Sequence, residues 1–189
     1  MREAVAAGIS DSARDFLEKV WPVVRPWFQG GELIPVEAVS PGRFASELDV
    51  LAGIDAWHVD SARGVRGIAS RVQWGDKIWD SFTIRRALPS GRPTEFEKRL
   101  DALDNPDAGW LFPHVTVQAY VSERGPAGRL VSAGAVKTRD LFEHVVRNGP
   151  SVSRKNNSDG VEFMAVYWND LINCGVKSVR TYRCPSAAA

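Results

Sequence analysis

Apolar residues return at intervals of three and four near the start of the chain. Phe16, Val20, Val23, Val24 and Trp27 fall on one side of a helix predicted over residues 11–26, with Ser10 or Asp11 as its cap. Pro22 and Pro26 limit the regularity of that helix. Residues 32–38 read as a short extended piece. Phe44, Leu48 and Leu51 then restore the helical spacing over residues 42–51, and Gly53 ends it. Three β-like runs follow, 54–60, 65–74 and 79–86, separated by Ser61-Ala62-Arg63-Gly64 and Gly75-Asp76-Lys77, which predicts a three-stranded meander.

Thr94 with Glu97 three residues on has the spacing of a capping box, and predicts a helix running to about residue 103 that Asn105 to Gly109 breaks. Over residues 114–121 the alternation is strict. Val115, Val117, Ala119 and Val121 oppose His114, Thr116, Gln118 and Tyr120, the pattern of a half-buried strand. Residues 130–137 are expected to pair with it across the Gly125-Pro126 turn. A helix over 138–146, a polar loop over 151–160, a strand over 161–168, a short helix over 169–173 and a last strand over 176–182 complete the series. These elements predict an α/β (α+β) fold, a central mixed β-sheet flanked by helices, in a single domain over 1–189 with a disordered tail at 185–189.

Composition narrows the class. Of 189 residues 44% are hydrophobic and 25% charged, ordinary globular usage that excludes disordered and fibrous chains. No apolar run approaches the roughly 18 residues of a membrane-spanning helix. The N-terminus lacks a signal-peptide core, and Glu3 and Asp11 do not suit an organelle transit peptide, so a cytoplasmic location is expected. Cys174 and Cys184 with His58, His114 and His144 cannot form a four-ligand zinc site of familiar spacing, and two free thiols are expected. Gly-rich phosphate loops, a Gly-X-Ser-X-Gly elbow and a cysteine–histidine nucleophile pair are missing from the sequence. His58 reads as a surface or satisfied histidine.

The net charge of +1 divides unevenly along the chain: residues 51–100 carry nine basic and six acidic side chains, whereas 1–50 carry five and eight. Within the basic stretch stand Trp74, Lys77, Trp79, Arg85, Arg86, Arg92, Lys98 and Arg99, and Arg154-Lys155 follows in the later polar segment. Arginine and lysine neutralise phosphates and indoles stack on unpaired bases, so the mixture suits nucleic acid; a solvated surface of mixed charge is the plainer alternative. Trp27, Trp57, Trp110 and Trp168 sit in apolar patterns and fit a core or a protein interface.

The densest candidate chemistry lies between Glu47 and Gln73. Asp49 and then Gly53-Ile54-Asp55 lead into one predicted strand, and Arg71 and Gln73 stand two apart on the next, where residues i and i+2 share a face. Asp55 could equally cap a turn or pair with Arg71 or Arg85, and Asp49 could be a solvated helix residue. The order helix, three-stranded meander, helix, strand over residues 11–121, with an acid followed by Gly-Ile-Asp, resembles the PD-(D/E)XK nuclease superfamily. The resemblance implies a restriction-endonuclease-like core over 11–121, with a C-terminal α/β extension over 122–184. It places Asp55 at the metal-ligating aspartate. Where the family has Glu-X-Lys or Gln-X-Lys, this chain has Ala69-Ser70-Arg71, and arginine cannot give up its proton as a lysine can.

Carried onto this chain, the resemblance implies a catalytic set of Asp55, Arg71 and Gln73. It also implies Mg²⁺ or Mn²⁺ held by Asp55 and Asp49; from the basic pattern, Arg85, Arg86, Arg154 and Lys155 are the expected nucleic-acid contacts. The expected function is binding of nucleic acid, or metal-dependent phosphodiester hydrolysis. The alternative is a non-catalytic protein-binding module, such as a phage or mobile-element accessory or inhibitor protein that engages a protein partner or a second copy of itself through its tryptophans.

Overall fold

The computed structural model describes residues 10–39, 52–75, 77–156 and 160–185. The helix predicted over 42–51, Asp49 within it, and residues 186–189 of the tail lie outside the described residues.

The first helical run, α1, covers residues 11–28 and opens at Ser10, whose Oγ accepts the Ala13 N–H at 3.3 Å. It changes winding along its length: α over Asp11–Asp15, π over Phe16–Val20, α over Trp21–Val24 and 3₁₀ over Arg25–Phe28. Pro22 and Pro26 have no N–H to return to the fourth residue back, and the ladder re-registers around them, with the Trp21 N–H reaching Phe16 O. This turns the buried face. Trp21 and Phe28 enter the core beside Phe16, Val20 and Val24, while Val23 and Trp27, expected there, are half-buried.

Among the described residues nine strands follow: β1 (Glu32–Pro35), β2 (Ala56–Asp60), β3 (Gly64–Trp74), β4 (Ser81–Ala87), β5 (Val115–Val121), β6 (Leu130–Lys137), β7 (Val152–Asn156), β8 (Glu162–Tyr167) and β9 (Arg180–Arg183). Between them lie the helices α2 (Val36–Val39), α3 (Glu95–Asp104), α4 (Thr138–Asn148) and α5 (Trp168–Asn173). Six strands form one mixed sheet in the order β1-β2-β3-β5-β6-β9, and the other three form a second sheet, β4-β8-β7. Among these strands only β3 and β5 pair in parallel, joined through β4 and α3. The protein has an α+β fold.

Five expectations change at this level. The three-stranded meander exists one strand earlier, as β1, β2 and β3. The third predicted run, β4, leaves that sheet and pairs with β8 from Ser81↔Tyr167 to Arg85↔Phe163, because the edge of β3 is taken by β5. The strand expected to be half-buried is buried on both faces from Val117 onward. The second sheet packs over its polar side, leaving Gln118 and Tyr120 each 1% exposed, and the Tyr120 hydroxyl donates to Ser81 O at 3.0 Å. The expected polar loop at 151–160 contains β7, which pairs with the open side of β8, and the last strand shortens to β9. The capping box at Thr94 and Glu97 forms as predicted.

The core lies on both faces of the six-stranded sheet. On one side α1 sets Phe16, Val20 and Val24 against Ile68, Val72 and Val117. On the other, Phe82, Ile84, Met164 and Val166 of the second sheet meet Tyr120, Leu141, Phe142 and Leu171. Each such side chain contributes about 1.5–3 kcal/mol by leaving water. Trp168 lies so close to β6 that a Cβ at Gly134 would stand 2.4 Å from its Cε2, so only glycine fits there. Because β6 and β9 complete the main sheet and β8 holds β4, the residues after 121 are interwoven with those before. Cys174 and Cys184 are exposed free thiols, and His58 is buried with its Nε2 2.8 Å from Gly30 O. Among the described residues no helix is long and apolar enough to cross a membrane.

Candidate functional site

Asp55 immediately precedes β2 and is fixed by its backbone: its N–H donates to Ile68 O and its carbonyl accepts from Val36 N, both at 2.9 Å. Its Oδ2 accepts the Ser70 N–H at 2.5 Å. On β3, Ile68 and Val72 face α1, which turns Ala69, Arg71 and Gln73 to the opposite side, toward the second sheet. Arg71 Nη1 donates to Thr83 Oγ1 at 3.2 Å, its Nη2 stands 3.7 Å from Glu95 Oε2, and its guanidinium carbon lies 5.6 Å from the centre of the Phe163 ring.

These groups border a cleft of about 680 Å³ between β3 and β5, residues 52–55, β4 and the N-terminal turn of α3. Asp55, Arg71 and Arg85 all reach it, and so do Arg92, Lys98, Arg99 and Glu95. Among the described residues five basic side chains therefore face two carboxylates across one concavity. Arg99 is 3% exposed and ion-paired with Glu95 at 2.5 Å, its Nη2 donates to Gly53 O at 3.4 Å, and its Nε has no hydrogen-bond partner among the described residues. Burial lowers the Arg99 pKa from its ordinary value, opposed by Glu95 and Asp55 and reinforced by Arg71; at neutral pH the guanidinium keeps its charge. An incompletely bonded, buried cation facing a cavity favours an anionic occupant.

Gln73 shares the face of Arg71 as expected, yet it is not brought to Asp55. It lines a second cavity of about 300 Å³, which Arg71 and Thr83 also border. There Gln118, buried between the sheets, accepts from Thr83 Oγ1 at 3.0 Å and donates its Nε2 to Gln73 Oε1 at 3.1 Å. Arg86, next to Arg85, is exposed and does not border the cleft. Lys155 lies on β7 in register with Phe163, and through it with Arg85; Arg154 precedes it on the same strand.

A magnesium or manganese ion asks for about six oxygen ligands, commonly one or two carboxylates with waters and substrate phosphates. Of the two expected ligands, Asp55 borders the cleft and Asp49 lies outside the described residues. Asp55 already accepts the Ser70 N–H, Glu95 is paired with two guanidiniums, and no three His, Cys, Asp or Glu side chains converge among the described residues. A dication would also stand among Arg71, Arg85 and Arg99.

The sequence reading missed Glu95, Thr83 and Gln118 as members of the site. The spacing of Glu95 and Arg99 at i and i+4 was a legible sign of an ion pair; that the pair would face Asp55 depends on how α3 crosses from β4 to β5. Compared with family models, curated proteins and solved structures, the chain has no match in any of the three.

Proposed function

We propose that this protein is a nuclease-like nucleic-acid-binding protein whose cleft holds the phosphodiester backbone. One observation carries the reading: among the described residues five basic side chains and two acidic ones line a single cleft, with a buried arginine at its wall whose Nε has no hydrogen-bond partner among them. Further support comes from Asp55 and Arg71 both lining that cleft, and from the meander β1-β2-β3 followed, after β4 of the second sheet, by a helical crossover to the parallel strand β5, close to the order that the PD-(D/E)XK resemblance implies. The activity proposed is binding, which the cations of the cleft support by themselves.

Phosphates would lie against Arg85, Arg92 and Lys98, with Arg71 and Arg99 held in place by Glu95. Three phosphates neutralised give a slope of about −2 to −3 for log K against log salt concentration. Anisotropy of a labelled oligonucleotide between 50 and 200 mM salt measures this. Arg85→Ala with Lys98→Ala should flatten the slope by about one to two units; absent or salt-indifferent binding sinks the proposal. Parallel incubations with Mg²⁺ and Mn²⁺ test hydrolysis: strand cleavage abolished by Asp55→Ala would extend the function from binding to catalysis.

Trp110 and Leu111 favour a second reading, as a protein-binding module. They stand side by side between α3 and β5, 63% and 61% exposed, although Trp110 fitted an apolar pattern in the sequence. Trp110→Ser should then abolish capture of a protein partner while leaving oligonucleotide binding unchanged.

A further inference from the structure

The smaller cavity, of about 300 Å³, opens beside the cleft, and its walls differ in kind. The cleft is walled by cations, whereas this cavity is walled by Trp79, Phe163 and Tyr167, with Gln73, Ser81 and Thr83 between them. The register of the second sheet creates this wall: Ser81↔Tyr167, Thr83↔Ala165 and Arg85↔Phe163 are directly opposed pairs, so all six share the face turned toward β3. Arg71 links the two spaces, since it borders both and lies against the Phe163 ring. Gln73 has its Oε1 held by Gln118, which leaves its amide nitrogen as the donor group offered to an occupant.

Resting on the phosphate reading of the cleft, we propose that this cavity receives one unpaired nucleobase of a strand whose backbone lies in the cleft. The strand is then single-stranded, or carries an overhang or an extruded base. The chemistry matches in three respects. The volume is at the lower end of the range for small-molecule sites, right for a base rather than a base pair. Aromatic side chains supply π-faces for stacking, with Trp79 42% exposed at the rim. An amide donor reaches acceptors on the edge of a base, and a base stacked inside a duplex cannot enter a lateral cavity without leaving its stack. Arg71, shared by both spaces, would position the phosphate beside the captured base.

The test compares a labelled 20-nucleotide single strand with a blunt 20-base-pair duplex at one salt concentration. Single strand should bind at least about 10-fold tighter. Trp79→Ala and Phe163→Ala should each weaken it by about 5- to 150-fold, the range for losing one stacked base, and Trp79→Ala, which does not touch Arg71, should leave duplex affinity and the salt slope unchanged. Should those variants fold poorly, the wild-type protein photocrosslinked to a single strand carrying 5-iodouracil gives an independent readout, with the adduct expected on Trp79, Phe163 or Tyr167. Equal affinity for both probes, or an adduct mapped elsewhere, overturns the base pocket while salt-dependent binding keeps the cleft. Loss of salt-dependent binding to both probes overturns the cleft, and this inference with it.

Discussion

Asp55 Oδ2 accepts the Ser70 N–H at 2.5 Å across the β2–β3 hairpin, so the carboxylate that lines the cleft also fastens the two strands that build it. Asp55→Ala removes the acceptor of a charge-assisted bond and should lower unfolding free energy by about 1–3 kcal/mol, while Asp55→Asn, which keeps an oxygen there, should lose less. Urea denaturation of the two variants decides. Equal stability of Asp55→Ala and wild type would strip the residue of its structural role.

Glu95 holds Arg99 at 2.5 Å and Arg71 at 3.7 Å, and Arg99 is buried against the Phe142 ring. Glu95→Gln leaves a buried guanidinium short of its countercharge and should destabilise the fold by about 1–3 kcal/mol. A double-mutant cycle with Arg99→Leu should show a coupling of at least about 0.5 kcal/mol. Additive losses would mean that the pair acts as two separate residues.

Asp15 is 3% exposed and makes two connections, accepting the Trp74 indole N–H at 2.6 Å and pairing with Lys19 at 2.7 Å, and Lys19 in turn donates to Gly125 O at 2.5 Å. This ties α1 to the end of β3 and to the β5–β6 turn. Asp15→Ala strands a largely buried ammonium and an indole donor, so a loss of about 3 kcal/mol or more in a urea titration is expected. A loss under about 1 kcal/mol would show that water replaces the carboxylate.

His144 is 6% exposed on α4, with the Asn148 amide nitrogen 3.2 Å from its Nδ1. Burial lowers its pKa, Asp170 works against that shift and Arg147 adds to it. The unfolded chain therefore takes up a proton near pH 6.5 that the folded chain resists, and stability falls as pH drops below that value. Thermal midpoints at pH 7.5 and 5.5 should differ in that direction, and the difference should shrink in His144→Gln. An unchanged difference would assign the pH dependence to other groups.

Much of the site's first half was legible in the sequence because its signals are local. The Gly-Ile-Asp run before β2 and the alternation on β3 fix where Asp55 and Arg71 stand, since strand periodicity alone decides which side chains share a face. The capping box at Thr94 placed the start of α3 for the same reason. Gln73 shows the limit: its face was right, but two residues along a strand span about 7 Å, enough to move it into the next cavity.

The sequence by itself determined the positions and types of most elements, the side each strand turns inward and the basic character of residues 63–99, all consequences of spacing within a few residues. The tertiary structure alone decided that β4 leaves the meander for β8, that β5 takes its place beside β3, and that α3 thereby carries Glu95 and Arg99 to Asp55. Strand partners are chosen by burial between segments distant in the chain. Residues 83, 95 and 163 could thus meet Arg71 only once two sheets had packed face to face.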